Sequence, residues 1–258
     1  MHSTIRSLCF LTISFCLILS PRAWAQLTPF NDLGVTIGHI HILAQDPEIH
    51  KKLWVDLFGA QVTKAGGLET IKLPGTIILI MKAQPSEASG QPTIDHFAFS
   101  VRDLADTKKK LASAQISLDS KSIATFPDGV RVEFIEDKQL KVPIAFQHFH
   151  IFSANKEAIQ SWYAKYFGIR YPAAPDFPGG EILFTEQTSP QRVPSKGHAL
   201  DHIGFEVKNL EEFCKKLEAD GIKLDMGIIA APQIGLKVTF VTDPVGTRIE
   251  LTEGLLGK

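Results

Sequence analysis

The sequence predicts an α+β fold built from four strand–helix–strand modules arranged as two pairs. Three observations predict it. His39-Ile40-His41 recurs in the second half as His148-Phe149-His150, each copy inside a strand-like apolar run. Two further runs open on a single histidine, His96-Phe97-Ala98-Phe99 and His202-Ile203-Gly204-Phe205. Each half then closes on Gly-x-x-x-Glu, ending at Glu133 and Glu250.

The four modules begin near Val35, Thr93, Ala145 and Ala199. In each, Asp or Asn follows seven residues after the leading histidine: Asp46, Asp103, Asn155 and Asn209. These short side chains accept from the free N–H groups of a first helical turn, so each marks a helix N-cap. Pro47 suits the first helical position, and Asn209 with Glu212 reads as a capping-box variant. Apolar residues then recur at helical spacing: Ile49, Leu53, Trp54 and Leu57; Ile159, Trp162, Tyr163 and Tyr166; Leu210, Phe213, Cys214 and Leu217. Gly59, Gly168 and Gly221 stand where these helices must stop. Strands follow over 77–81, 130–135, 182–184, 238–241 and 247–251, so each unit reads as strand, helix, then two or three antiparallel strands. The modules alternate in type, His-x-His with a helical Trp against a single His with a final Glu strand. A pair has therefore been duplicated, with one domain over 33–138 and a second over 143–256.

Residues 1–25 read as a secretory signal peptide, with Arg6 in a polar start, an apolar run over 8–19 and Ala23-Trp24-Ala25 as a cleavage site. The expected mature chain begins at Gln26, is periplasmic or secreted, and retains Cys214 alone of the three cysteines. With no second thiol, stability rests on a core that 44 % hydrophobic residues can supply. Cys214, on an apolar helix face, reads as a core residue. The net charge of −1 gives no basic excess for nucleic acid or a membrane surface.

A strand sends alternate side chains to one face, so His39 and His41 point together, as do His148 and His150. Arg131 shares a face with Glu133, and Arg248 with Glu250. A strand-borne carboxylate facing into a curved sheet is costly to bury unless paired or metal-bound. Two imidazoles and one carboxylate arranged facially bind Fe(II), Mn(II), Zn(II) or Ni(II) and leave positions open. A lone strand histidine is usually a core or surface residue; repeated offsets from four helix caps lift these above that expectation.

At these residues the sequence resembles the vicinal oxygen chelate superfamily, which includes glyoxalases, bleomycin resistance proteins and extradiol dioxygenases. The resemblance spans roughly residues 35–256 and is strongest in LDHIGFEVKNLEEFCKKLEADGI (200–222) and FVTDPVGTRIELTEG (240–254). It implies βαβββ modules paired into two curved-sheet, glyoxalase-like domains around divalent metals. By position, the implied ligands are His148, His202 and Glu250 in the second half and His39, His96 and Glu133 in the first. His41, His150, Arg131 and Arg248 become cavity-lining residues, and Glu250, His150 and His198 candidates for acid–base chemistry. The family's fourth ligand, a Glu or Gln in the last strand of the odd-numbered module, has no counterpart over 77–81; Glu181 and Glu186 flank the corresponding strand of the third module.

The second module is short, with 37 residues from His96 to Glu133 against 48 from His202 to Glu250, so it is expected to lack one strand. The C-terminal half is therefore the preferred site. The resemblance implies an exported metal-dependent enzyme acting on a small oxygenated substrate by lyase or isomerase chemistry. Oxygen-dependent ring cleavage is the enzymatic alternative, although all three tyrosines precede the fourth module. Ligand sequestration without chemistry, as in bleomycin resistance proteins, is the non-catalytic alternative. The cup forms either within each half or across a homodimer.

Overall fold

The computed structural model describes residues 29–65, 67–86, 90–171 and 177–255; the expected signal peptide lies outside them. The first module is β1 (Val35–Ala44), α1 (Pro47–Phe58), β2 (Gln61–Ala65), β3 (Leu68–Leu73) and β4 (Thr76–Lys82). The second is β5 (Ile94–Val101), α2 (Leu104–Ser113), β6 (Ile123–Thr125) and β7 (Arg131–Glu136). The third is β8 (Ile144–Ser153), α3 (Lys156–Phe167) and β9 (Glu181–Glu186). The fourth is β10 (Leu200–Val207), α4 (Leu210–Ala219), β11 (Ile229–Ala231), β12 (Leu236–Thr242) and β13 (Arg248–Glu253).

All four expected caps form. Asp103 accepts from the Asp106 N–H at 2.8 Å, Asn155 from Ala158 at 2.9 Å and Asn209 from Glu212 at 3.1 Å; Asp46 accepts from Glu48 at 3.0 Å, with Pro47 opening the helix. Gly59 and Gly168 end α1 and α3 in the left-handed conformation that a side chain disfavours. One helical face differs from expectation. Ile49 is exposed, and α1 instead buries His50 and Trp54. Cys214 is buried on α4, where burial pushes its thiol up to about 11.

The strands form an eight-stranded sheet, β11-β12-β13-β10-β1-β4-β3-β2, and a five-stranded sheet, β6-β7-β5-β8-β9. This overturns the half-by-half domain arrangement. β1 pairs antiparallel with β10, so the first and fourth modules share the large sheet; β5 pairs antiparallel with β8, so the second and third share the small one. The strand count also differs. Among the described residues, the second module has three strands, as its short span predicted, but the third has only two. The complete modules are the first and fourth.

The apolar faces of both sheets meet in one core. Ile40, Ile42, Ile203 and Phe205 of the large sheet join Phe97, Phe99, Phe149 and Ile151 of the small sheet. The helices lock the sheets together. Trp54 of α1, which follows a large-sheet strand, packs on Phe97 and Phe99 of β5. Phe167 of α3, which follows a small-sheet strand, packs on Phe205 of β10 at 4.5 Å between ring centres. Two buried polar links run the same way: His50 Nε2 lies 3.2 Å from Asp128, and the Tyr163 hydroxyl donates to Asp243 at 3.0 Å. Strands thus pair across the halves while helices bond within them.

Asp243 also accepts from the Val245 and Thr247 N–H groups at 3.0 and 2.7 Å, holding the turn that leads to Glu250. Burial pushes its carboxyl up to about 6, although these donors and Tyr163 pull it down. An unfolded Asp releases its proton near pH 4. Between those values the folded state holds the extra proton, so this group's contribution to stability falls as pH rises from about 4 to about 6 and levels off above, by on the order of 3 kcal/mol in total. Denaturant titrations at a series of pH values should show that loss in the wild type relative to Asp243→Asn; equal slopes for the two proteins would contradict it.

Candidate metal centres

In the large sheet, alternation sends Ile40 and Ile42 into the core and His39 and His41 to the opposite face. A bulge at Gly38, where the β1–β10 register shifts between Ile37 and His39, sets this phase. The β1–β10 pairing puts His41 opposite His202 and His39 opposite Gly204, and parallel β13 puts Glu250 beside Gly204. Gly204 has to be glycine. A Cβ there would stand 2.1 Å from Cε1 and Nδ1 of the His39 ring, which lies over the bare strand.

Three imidazoles therefore converge on one carboxylate oxygen. From Glu250 Oε2, His202 Nε2 lies at 2.6 Å, His39 Nε2 at 3.2 Å and His41 Nδ1 at 3.9 Å. His202 is oriented from behind by Asp201, whose Oδ1 is 2.5 Å from Nδ1. Asp201 is itself held by Arg248 at 2.9 Å and by the Gly197 N–H at 2.5 Å. Burial lowers the His202 pKa, but the hydrogen bonds and charges of Asp201 and Glu250 outweigh it and raise the value. Burial likewise raises Glu250, yet His39 and His202 hold it well below the usual carboxylate range. His41 has no such support. Burial, followed by the charges of His202 and His39, lowers it well below the ordinary imidazole value.

The small sheet repeats the constellation from the other modules. Its register shifts twice, at Gln147 between Ala98 and Phe99 and at Asp95 between Ile94 and His96, and the pairing sets His150 opposite His96 and His148 opposite Ala98. Glu133 Oε2 lies 3.1 Å from His96 Nε2 and 3.5 Å from His148 Nε2. Asp95 Oδ2 is 2.8 Å from His96 Nδ1 and is held by Arg131 and by Arg192, the latter at 3.0 Å. His96 is raised, since Asp95 and Glu133 outweigh burial. Burial and the charge of His96 lower His148 to about 3 and His150 to about 4.

Both clusters fit a divalent cation. The ligand atoms of His39, His41, His202 and Glu250 lie within 4.8 Å of one another, as do those of His96, His148 and His150. His148 Nε2 is buried beside Glu133 without a hydrogen-bond partner, a cost that a bound cation removes. In each cluster the Asp–His contact is the outer support that metal-binding imidazoles commonly carry.

The grouping by halves does not survive. His148 is not with His202 and Glu250, and His39 is not with His96 and Glu133. The sets are His39, His202 and Glu250 with His41, and His96, His148 and Glu133 with His150. Arg131 and Arg248 bind the buried aspartates, and Arg131 also lines the cavity at the second centre. His198 lies apart, in a smaller pocket with Asp128 and Arg192. Glu181 sits opposite His148 in the β8–β9 pairing, and its carboxyl is raised by burial; the matching large-sheet position, opposite His39, is Ile77. Sequence reasoning missed Asp95 and Asp201. Their signal was present, since both single-histidine strands read Asp-His.

The surroundings of the two centres differ. A cavity of about 650 Å3 lies over the second, walled by His96, His148, His150, Glu133, Arg131 and Phe152, among others. The Glu133 side chain is 23 % exposed against 12 % for Glu250. On the site face of the large sheet, Ile77 and Leu79, register partners of His39 and His41, pack with Leu236 and Leu255 in a separate apolar cluster.

Residues 145–251 match the family model of the Glyoxalase/Bleomycin resistance protein/Dioxygenase superfamily. No curated protein matches the sequence. Among solved structures, glyoxalase I from Zea mays is similar at a TM-score of 0.69 and 15 % identity, over 86 % of this chain and 93 % of that one. A candidate dioxygenase from Bacillus subtilis subsp. subtilis str. 168 is similar at 0.65 and 12 %, over 90 % of this chain and 87 % of that one. At such identities the likeness is one of fold.

Gly204→Ala tests the contact on which the first cluster depends. Overpacking of this kind costs about 1–3 kcal/mol. We expect a loss of that size in chemical denaturation, together with weaker metal binding at the first centre and unchanged binding at the second. Wild-type stability and affinity would show that His39 does not occupy the place described.

Proposed function

We propose, from the match of residues 145–251 to the family model of the Glyoxalase/Bleomycin resistance protein/Dioxygenase superfamily, that the chain is an exported metal-dependent enzyme of the vicinal oxygen chelate type. It chelates a small oxygenated substrate and carries out lyase- or isomerase-like chemistry. The observation that carries this reading is the second centre. Two histidines and a glutamate lie beneath a cavity of about 650 Å3, within the roughly 300–1,000 Å3 usual for small-molecule sites.

In this reading His96, His148 and Glu133 hold the metal. When bound, a divalent ion there supplies Lewis-acid polarisation of the oxygens it chelates. The protein's own groups supply the rest. Asp95, fixed by Arg131 and Arg192, holds His96 with Nε2 towards Glu133. Burial and the charge of His96 keep His150 neutral at working pH, so it meets the substrate as a hydrogen-bonding imidazole rather than a cation. Thr185 Oγ1, 2.8 Å from His150 Nε2, fixes the ring and leaves the other nitrogen for that contact. Phe152, Ile123, Ile135 and Leu183 give the cavity an apolar wall that excludes water from the substrate's body. The same apolar wall favours, as a second reading, sequestration of a ligand without chemistry.

Two measurements test the proposal. Elemental analysis of purified protein should find metal at neutral pH, and His148→Ala should lose the second-centre equivalent together with turnover. A wild-type second centre that takes up no metal rules out the enzyme reading. N-terminal sequencing of protein recovered outside the cytoplasm should begin at Gln26; an intact Met1 would rule out cleaved export.

A further inference from the structure

We infer that the substrate of the second centre carries an anionic group besides the oxygens it offers to the metal, and that Arg131 and Lys121 receive it. The inference rests on the reading of that centre as a substrate site and names the class of compound it takes. This is a small molecule with an apolar body and a carboxylate or phosphate.

The argument begins with a difference between the two buried aspartates. At the first centre one arginine does two tasks. Arg248 donates to Asp201 at 2.9 Å and lies over the Phe240 ring, 3.9 Å from its centre. At the second centre Arg192 does both. It donates to Asp95 at 3.0 Å and lies over the Phe152 ring at 4.1 Å. Its Nε and Nη2 donate to Gln187 at 3.1 and 2.9 Å. Arg192 is therefore the counterpart of Arg248 in function, and Arg131 is an additional cation. Arg131 gives Nη1 to Asp95, and its other donors have no partner among the described residues. Its side chain is 33 % exposed against 19 % for Arg248.

That surplus faces the cavity. Arg131 lines it, and so does Lys121, which precedes β6 and makes no salt bridge among the described residues. The two carboxylates of the lining are already engaged, Asp95 by His96 and Arg192, and Glu133 by His96 and His148. The charges of Arg131 and Lys121 also act on Asp119, but its Oδ1 is occupied by the Lys121 and Ile123 N–H groups at 2.7 and 2.9 Å. Three cations thus border the space against two carboxylates. A cleft with one sign of charge in excess concentrates ligands of the other sign. The guanidinium fork matches the paired oxygens of a carboxylate or phosphate. Phe152, Leu183, Ile123 and Ile135 are left for the body of the molecule.

Co(II)-loaded protein tests this without any turnover assay. The probes are hydroxamates, which chelate a divalent ion through two neighbouring oxygens. Succinic and adipic monohydroxamates and phosphonopropanohydroxamate are compared with butano- and hexanohydroxamate, which end in a methyl group. Binding is read from the visible Co(II) spectrum, as the ratio of anionic to methyl-ended affinity, so that a general loss of metal binding cancels. We expect the wild type to prefer an anionic probe at least about tenfold, as for one charge-assisted hydrogen bond. The probe it prefers separates carboxylate from phosphate. Arg131→Gln and Lys121→Gln should each lower the ratio severalfold, and together they should abolish the preference. Lys121 is exposed, so its substitution covers the case in which Arg131→Gln fails to fold. His148→Ala should remove the spectral response itself. Equal affinities in the wild type, a ratio unmoved by both substitutions, or a response that survives His148→Ala would overturn the inference while leaving the enzymatic reading in place. A second centre that takes up no Co(II) would instead sink the enzymatic reading and this inference with it.

Discussion

The antiparallel joins of β1 to β10 and of β5 to β8 are the constraint on which the rest of the molecule depends. Each join brings together strands from opposite ends of the duplication. Each sets a His-x-His strand against an Asp-His strand, with a Glu strand running parallel on the far side. No module carries a donor set alone, and neither sequence half does. The bulges at Gly38 and Gln147 matter because the side-chain period of a strand is two. Without that extra residue, the imidazoles on one side of each bulge would fall out of phase with their partners across the join.

Two near-copies of one constellation then sit in different settings. In both, an arginine holds an aspartate, the aspartate holds a histidine, and the histidine faces a glutamate. The settings differ in what the flanking modules contribute. Four-stranded modules bring Ile77, Leu79 and Leu236 beside the first cluster. The shorter modules leave open space over the second, bounded by Phe152, Leu183 and Thr185. The strand deficit that the sequence revealed in the second module therefore makes room at a site rather than crippling it.

Local chemistry was legible in the sequence. Caps such as Asp46 and Asn155 announce helices because their cause lies within three residues, and alternation correctly grouped His39 with His41. Pairing was not legible. Whether β1 meets β5 or β10 depends on which apolar faces bury each other across the core, and a single sequence carries no record of that choice. Every member of the two clusters was therefore named, but the sets were assembled wrongly. Ile49 misled for a related reason: its helical spacing is apolar, yet the tertiary contact of α1 selected the Trp54 and His50 face. Asp95 and Asp201 were passed over because regular alternation would send a residue beside a strand histidine to the other face; each instead stands at a register shift that breaks the alternation, from which it contacts the Nδ1 of its neighbouring histidine.

The crossed connectivity also orders events in time. β1 can meet β4 early, since both lie in the first module, but its other edge waits for β10 at residues 200–207. As the chain emerges from the ribosome, the centre of the large sheet cannot close until most of it has been made. Contacts so distant in sequence make folding slow. During that wait β1 presents an unpaired edge with Ile37, Ile40 and Ile42 uncovered, an invitation to a second nascent chain. The stretch that most needs shielding before folding is thus the strand that carries His39 and His41.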